Sequence, residues 1–240
     1  MRLPRSPFAI ALAASGLTLL LAVSLVAWKA LAPPDPAART AARHGAPWQI
    51  GLPAPGRSRV FDLDLPGSTL ADAQRRWGDV LQLALVDPGT GPLTLEGYLE
   101  RFEAGGVSGR LLLRFDTRGQ AAAVARWREA LPRIPQESGS WQHKLNQAAR
   151  VDLADSALLG LSYIADAQLN AEMITARFGN PAERIAEGQR LQHWLYPEQG
   201  LIVMLDSKGR EVLQYVAPAD FEQRLVAPLR AAQVQPPLRP

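Results

Sequence analysis

The residues that could do chemistry are few, and they form no recognisable motif along the chain. Three histidines occur, His44, His143 and His193. No two stand at the spacing that presents a pair of imidazoles to one metal ion. His44 lies among prolines and small residues and reads as solvated; His193, beside Trp194, reads as a surface strand histidine. Asp62 and Asp64 are two apart, which on a strand would aim both carboxylates to one side, as acid–base chemistry can require. Plain solvent-face alternation accounts for them more cheaply. Ser138-Gly139-Ser140 has no base nearby in sequence and reads as a loop, and Glu198, Asp206 and Glu211 read as turn and surface residues. Nothing resembles a nucleophile elbow, a phosphate loop or a dinucleotide fingerprint. The sequence therefore offers no catalytic residue, no metal site, no cofactor and no evident small-molecule substrate. Trp194 and Tyr196 are the informative pair, because two positions apart on a strand share a face. Either they pack under a helix carrying Ile174 and Phe178, or they stand exposed as aromatic anchors for a protein partner, with Gln192 on the rim. Gln192, Trp194 and Tyr196 are thus the candidate partner-binding residues.

Composition narrows the classes further. A chain of 240 residues holds one or two domains. The absence of cysteine excludes disulfides, thiolate metal sites, a cysteine nucleophile and an acylated N-terminal cysteine. The net charge of +3 is carried almost wholly by arginine, with lysine only at positions 29, 144 and 208. The arginines are scattered among acidic residues without a basic–aromatic stripe, which argues against a nucleic-acid partner.

These residues must be positioned by elements that can be read in order. Arg2 and Arg5 precede an uncharged run from Phe8 to Trp28, long enough to cross a hydrocarbon core as a helix. The small-residue site Ala30-Leu31-Ala32 is followed by Pro33-Pro34, a poor context for signal cleavage. Residues 1–31 are therefore expected to be an uncleaved signal anchor, a cleaved signal being the alternative. Through residues 8–31 the chain would sit in the inner membrane in a single pass, with its bulk in the bacterial periplasm. The short basic N-tail favours this orientation, although the flanking charges are nearly balanced. Residues 32–57 are rich in proline and read as an extended linker.

Arg59 to Leu65 alternates as a half-buried strand. Thr69 can cap a helix bearing Leu70, Ala73 and Trp77 on one face, ended by Gly78. Strands are expected over 80–86, 93–102 and 109–115, then a helix over 120–131 with Val124, Trp127 and Leu131 inward. Residues 136–168 are expected to be a helical connection, although Val151–Tyr163 is ambiguous between helix and strand. Asn170 caps a second short helix whose face is Ala171, Ile174 and Phe178, ended by Gly179 and barred from continuing by Pro181. Shifting Leu70, Ala73, Trp77 and Gly78 by 101 gives these same four positions, a sign of internal duplication. A hairpin turns at Asp206 to Gly209. Leu201–Leu205 is apolar on both faces and needs cover on both sides, part of it from a final helix with Phe221, Leu225 and Leu229, limited by Pro228. Residues 231–240 read as a frayed tail.

The stretch from Leu169 to Val216, with its helix ending Phe178-Gly179-Asn180-Pro181, its aromatic strand Trp194-Leu195-Tyr196 and its hairpin around Asp206–Gly209, resembles the SmpA/OmlA (BamE-like) family of envelope domains. Ile174, Phe178, Gly179, Pro181, Asp206 and Gly209 carry the likeness. A degenerate copy over Phe61–Gly119 would resemble the tandem arrangement of β-lactamase-inhibitor-type folds. The resemblance implies an α+β fold, with two small modules of short helices packed on antiparallel sheets (58–135 and 169–230) behind the N-terminal transmembrane helix. It also implies a non-catalytic scaffold or binding role with an envelope protein partner. An inhibitor-like module that blocks an envelope enzyme is the alternative, and an enzyme with an unrecognised site is a third.

Overall fold

The computed structural model describes residues 45–89, 92–136, 139–207 and 211–234. The span expected over 8–31, residues 32–44 of the linker, the turn residue Gly209 and the last six residues lie outside the described ones. Among the described residues no helix is long and apolar enough to cross a membrane.

The linker ends earlier than its prolines indicate. β1 (Gly51–Ala54) pairs antiparallel with β2 (Arg57–Val60), and β2 with β3 (Leu63–Leu65), in a three-stranded sheet. Ahead of it, the Tyr215 hydroxyl donates to the Pro47 carbonyl at 2.8 Å, and the Arg177 guanidinium lies 4.5 Å from the centre of the Trp48 ring. The single strand expected from Arg59 to Leu65 is a hairpin. Phe61 and Asp62 form its two-residue turn, with φ of +52° and +60°. Only Val60-Phe61 interrupts the polar–apolar alternation, which resumes at Asp62, so the pattern conceals the turn. The Phe61 ring enters an aromatic cluster, 4.9 Å from Phe102, 5.7 Å from Tyr163 and 5.9 Å from Tyr215, and this burial offsets the left-handed backbone. Asp62 and Asp64 do not act as a pair: Asp64 accepts two bonds from Arg59, at 2.7 and 2.9 Å, and Asp62 pairs with Arg76.

Helix α1 (Leu70–Trp77) has the capping box its sequence announces. The Thr69 amide donates to Asp72 at 2.8 Å and the Asp72 amide to the Thr69 hydroxyl at 3.4 Å. Leu70, Ala73 and Trp77 are buried. Strands β4 (Gln82–Asp87), β5 (Thr94–Ala104) and β6 (Val107–Phe115) follow as a meander. Helix α2 (Ala121–Ala130) leads to β7 (Ile134–Pro135) and β8 (Trp141–Lys144), then α3 (Gln147–Asp152) and β9 (Leu158–Ala165). The second half is α4 (Ala171–Phe178), β10 (Glu183–Glu187), β11 (Leu191–Tyr196), β12 (Leu201–Asp206) and β13 (Val212–Val216). A π-helical turn, Glu222–Val226, runs into α5 (Ala227–Val234). Pro228 does not end this helix: the Ala227 amide reaches back five residues to the Glu222 carbonyl, widening the turn before the proline ring.

The expected architecture of two modules, each on its own sheet, is overturned. Among the described residues strands outnumber helices, and one antiparallel sheet of ten strands, ordered β10-β11-β12-β13-β9-β6-β5-β4-β8-β7, takes in both halves. The reason lies in the segment expected to be a helical connection. Its residues 158–165 form β9, which pairs with β6 on one side and β13 on the other. From β4 on one side and β10 on the other the strands run inward, β4-β5-β6 to β9 and β10-β11-β12 to β13, with β8 and β7 added outside β4. A half-turn about an axis normal to the sheet between β9 and β13 exchanges these strand orders and directions. Helices α1 and α4 both pack on the first face, over a core that includes Leu85, Leu113, Tyr163, Leu213, Val203 and Trp194. On the second face Phe221, Leu225 and Leu229 cover Ile185, Leu195, Ile202 and Val216. β12 thus has Leu201 and Val203 on one side and Ile202 on the other, as its double-sided apolarity requires.

Candidate ligand cavity at the sheet seam

The second face carries a cavity of about 120 Å³ where the two halves meet. Four elements build it. β6 supplies Leu112 and Arg114, β9 supplies residues 159–162, β13 supplies residues 214–216, and the π-helical turn supplies Arg224 and Leu225. Strand register sets the positions. Leu112, Ser162, Gln214 and Ile202 stand opposite one another across four neighbouring strands, and Arg114, Gly160 and Val216 form the next row. Between Arg114 and Phe115 the β6–β9 register shifts, so Leu159 has no ladder partner and sits at the cavity wall. Gly160 keeps the seam tight. A Cβ there would lie 2.7 Å from the Tyr215 carbonyl oxygen and 3.0 Å from the Val216 side chain.

The polar groups are unusual for this depth. Ser162 is 1% exposed and Gln214 3% exposed, yet Ser162 Oγ and Gln214 Oε1 have no hydrogen-bond partner among the described residues. A buried group left this way costs about 1–3 kcal/mol unless something fills its valence. Arg114, partly buried, forms no ion pair or hydrogen bond with the described residues. Burial lowers the pKa of its guanidinium; the Glu96 carboxyl opposite it on β5 works against that, and Arg224 adds to it. Glu96 is itself buried, which raises its pKa, while the Thr94 hydroxyl, donating at 2.9 Å, and Arg114 favour the ionised form. Arg224 donates Nε to Asp220 at 2.8 Å. Nearby, the Arg118 guanidinium, bonded to Asp116 at 2.7 Å, holds that carboxyl at about 2. The cavity therefore presents two cations, one acceptor and one hydroxyl against an apolar wall.

The residues singled out from sequence lie elsewhere. Trp194 and Tyr196 are buried in the first-face core, not displayed for a partner. Their rings fill the space beneath α4, which is where a strand under an amphipathic helix must place its bulk. The Arg184 guanidinium stacks 4.1 Å from the Trp194 ring, whose Nε1 donates to Gln192 at 3.2 Å. Gln192 is exposed. Phe178 meets the Tyr196 ring at 5.8 Å and Ile174 is buried beside it. Gly179 has the positive φ expected of it, +82°, but with an extended ψ of −169° instead of a left-handed helical one, and its carbonyl accepts from the Tyr196 hydroxyl at 3.2 Å. Pro181 follows in the loop leading to β10. Asp206 ends β12, buried, with Arg190 at 3.0 Å.

His193 is fully buried, contrary to the surface placement expected of it. Its Nε2 lies 2.8 Å from Glu187, and this bond, working against burial, lowers the Glu187 pKa. Its Nδ1 is buried without a hydrogen-bond partner among the described residues, and the pair does not line the seam cavity as Ser162 and Gln214 do. Among the described residues no cluster of three or more His, Asp or Glu could hold a metal ion. The seam residues were missed because Ser162 and Gln214 are isolated polar positions inside apolar strands. Leu-Ser-Tyr-Ile and Leu-Gln-Tyr-Val are the local signal that could have marked them.

Comparison of the chain with family models, with curated proteins and with solved structures finds no match. The likeness to SmpA/OmlA domains therefore rests on the motif residues of the second half alone.

Proposed function

We propose that this chain is a non-catalytic protein-binding or scaffold module of the bacterial envelope, held at the inner membrane through residues 8–31 with its folded part in the periplasm. The observation that carries the binding role is the seam cavity. It combines an apolar wall with convergent polar groups that lack internal partners, the usual make-up of a recognition site. Its chemistry suits binding better than reaction, because Ser162 Oγ has no base beside it to make it a nucleophile. The anchoring is supported by the uncharged run from Phe8 to Trp28, and the periplasmic placement by the short basic N-tail with Arg2 and Arg5.

The test is photo-crosslinking in intact envelopes. A photoreactive side chain at Leu159, on the cavity wall, should capture a discrete protein partner, and one at Val151, which is 64% exposed on α3, should not. Equal labelling from both sites would defeat the binding assignment. In the same membranes, loss of the protein to a carbonate wash would defeat the anchoring.

A further inference from the structure

We infer that the seam cavity recognises the C-terminal residue of a polypeptide, a free carboxylate with an aliphatic side chain and its own amide N–H. The inference rests on the binding role proposed above and names the chemistry of the partner. Three demands of the cavity lead to it. Arg114 faces the cavity without an ion pair or hydrogen bond among the described residues, and Arg224, with only its Nε committed to Asp220, faces the same space. Glu96 stands opposite Arg114 on β5 without forming an ion pair with it, and Asp220 takes only the Nε–H of Arg224, so the guanidinium N–H groups that remain suit an anion with more than one acceptor oxygen, as a carboxylate has. Gln214 lines the cavity and its Oε1 is a buried acceptor without a donor among the described residues, so a ligand that seats against it should bring an N–H or O–H. Ser162 Oγ, one strand away, can donate to the carboxylate or accept from the amide.

The third demand is apolar. Leu112, Leu159, Val216 and Leu225 form most of the wall. At about 120 Å³ the volume is of the order of the roughly 150 Å³ cavity that holds benzene, room for one aliphatic side chain with the rest of a longer ligand at the mouth. Anion, adjacent donor and one aliphatic group within a single cavity describe the end of a peptide chain. A fatty acid lacks the donor, and a phosphate lacks the aliphatic group. Backbone and side-chain groups capture terminal carboxylates elsewhere by the same division of labour.

Full-length protein in detergent micelles is titrated with fluorescein-Ala-Ala-Leu bearing a free carboxylate and with the same peptide ending in a carboxamide. The acid should bind saturably and at least tenfold more tightly than the amide. Arg114→Gln should weaken the acid to the level of the amide and leave the amide unchanged, a collapse of the ratio that general loosening of the fold would not produce. The comparison of the two peptides on the unmodified protein needs no variant to fold. Leu159→Trp, which fills the cavity from its wall, should abolish both. Equal binding of acid and amide overturns the inference, as does no binding of either, which would mean that the cavity holds water only. N-acetyl-leucine competing as strongly as the peptide would overturn the polypeptide source in favour of a free acylated amino acid. If the Leu159 crosslink forms while the acid–amide preference is absent, the carboxylate inference fails and the binding role stands.

Discussion

Raising the pH should unfold this protein through its tyrosines. The chain has four, and all are buried: Tyr98 at 3% exposure, Tyr163 and Tyr215 at 0% and Tyr196 at 4%. Burial raises the phenol pKa of each, Tyr98 to about 12 and Tyr215 well above its ordinary value, with Tyr163 and Tyr196 shifted in the same direction. In the unfolded chain these groups titrate near pH ~10. Between that value and their folded values the folded state holds protons that the unfolded state has released. The stabilisation is therefore complete below pH ~10 and is lost as the pH rises above it. Each group removes about 1.4 kcal/mol per pH unit in that window. Tyr98, Tyr163 and Tyr215 together remove about 4 kcal/mol by about pH 11, a large share of the 5–15 kcal/mol that holds a typical domain. Lysine at only positions 29, 144 and 208 leaves few other groups titrating there. The assay is urea denaturation at stepped pH, with tyrosinate absorbance and far-ultraviolet circular dichroism recorded together. Tyrosinate should appear only as the fold is lost, in one cooperative step. Tyr215→Phe should reduce the pH slope by about 1.4 kcal/mol per unit. Gradual ionisation near pH ~10 with the circular dichroism intact would refute the reasoning.

Two further outcomes follow from packing. Phe178→Ala should destabilise the fold by about 3–5 kcal/mol, because the ring is buried against Tyr196 and the core cannot collapse fully around the void; an unchanged thermal melt would mean that α4 is not docked through this face. Gly160→Ala should cost about 1–3 kcal/mol by pushing β9 away from β13, and it should weaken peptide binding in step, since the added Cβ meets both the Tyr215 carbonyl and Val216. Calorimetry of this variant with and without the acid peptide checks both effects.

Local physics was legible in the sequence and long-range pairing was not. The capping box at Thr69, the buried face of Leu70, Ala73 and Trp77, and the C-terminal helix over Ile202 could all be read from spacing within one element. Leu201–Leu205 announced its need for cover on two sides, and both covers are present. The turn at Phe61–Asp62 escaped because one break, Val60-Phe61, is all that interrupts the alternation and neither turn residue is a glycine. The helical connection expected over 136–168 holds, near its start, a strand, Trp141–Lys144, whose form is set by pairing with β4. β9 was ambiguous because a strand buried on both faces has no periodicity to display. The cavity was invisible for a stronger reason: Ser162 and Gln214 are 52 positions apart, and only their register makes them neighbours.

The seam also has a kinetic meaning. Within each half the strands are joined by short hairpins, so β4–β6 and β10–β13 can each form as local meanders. The β6–β9 pairing must wait for the excursion through α2, β7, β8 and α3 to close, a far larger loop with a larger entropic barrier. Union of the two meanders is then the slow step, and β9 is the strand that commits the chain. Any ligand held at residues 159–162 and 214–216 binds only after that commitment. Such a ligand would act as a latch, slowing the unfolding rate while leaving the folding rate unchanged.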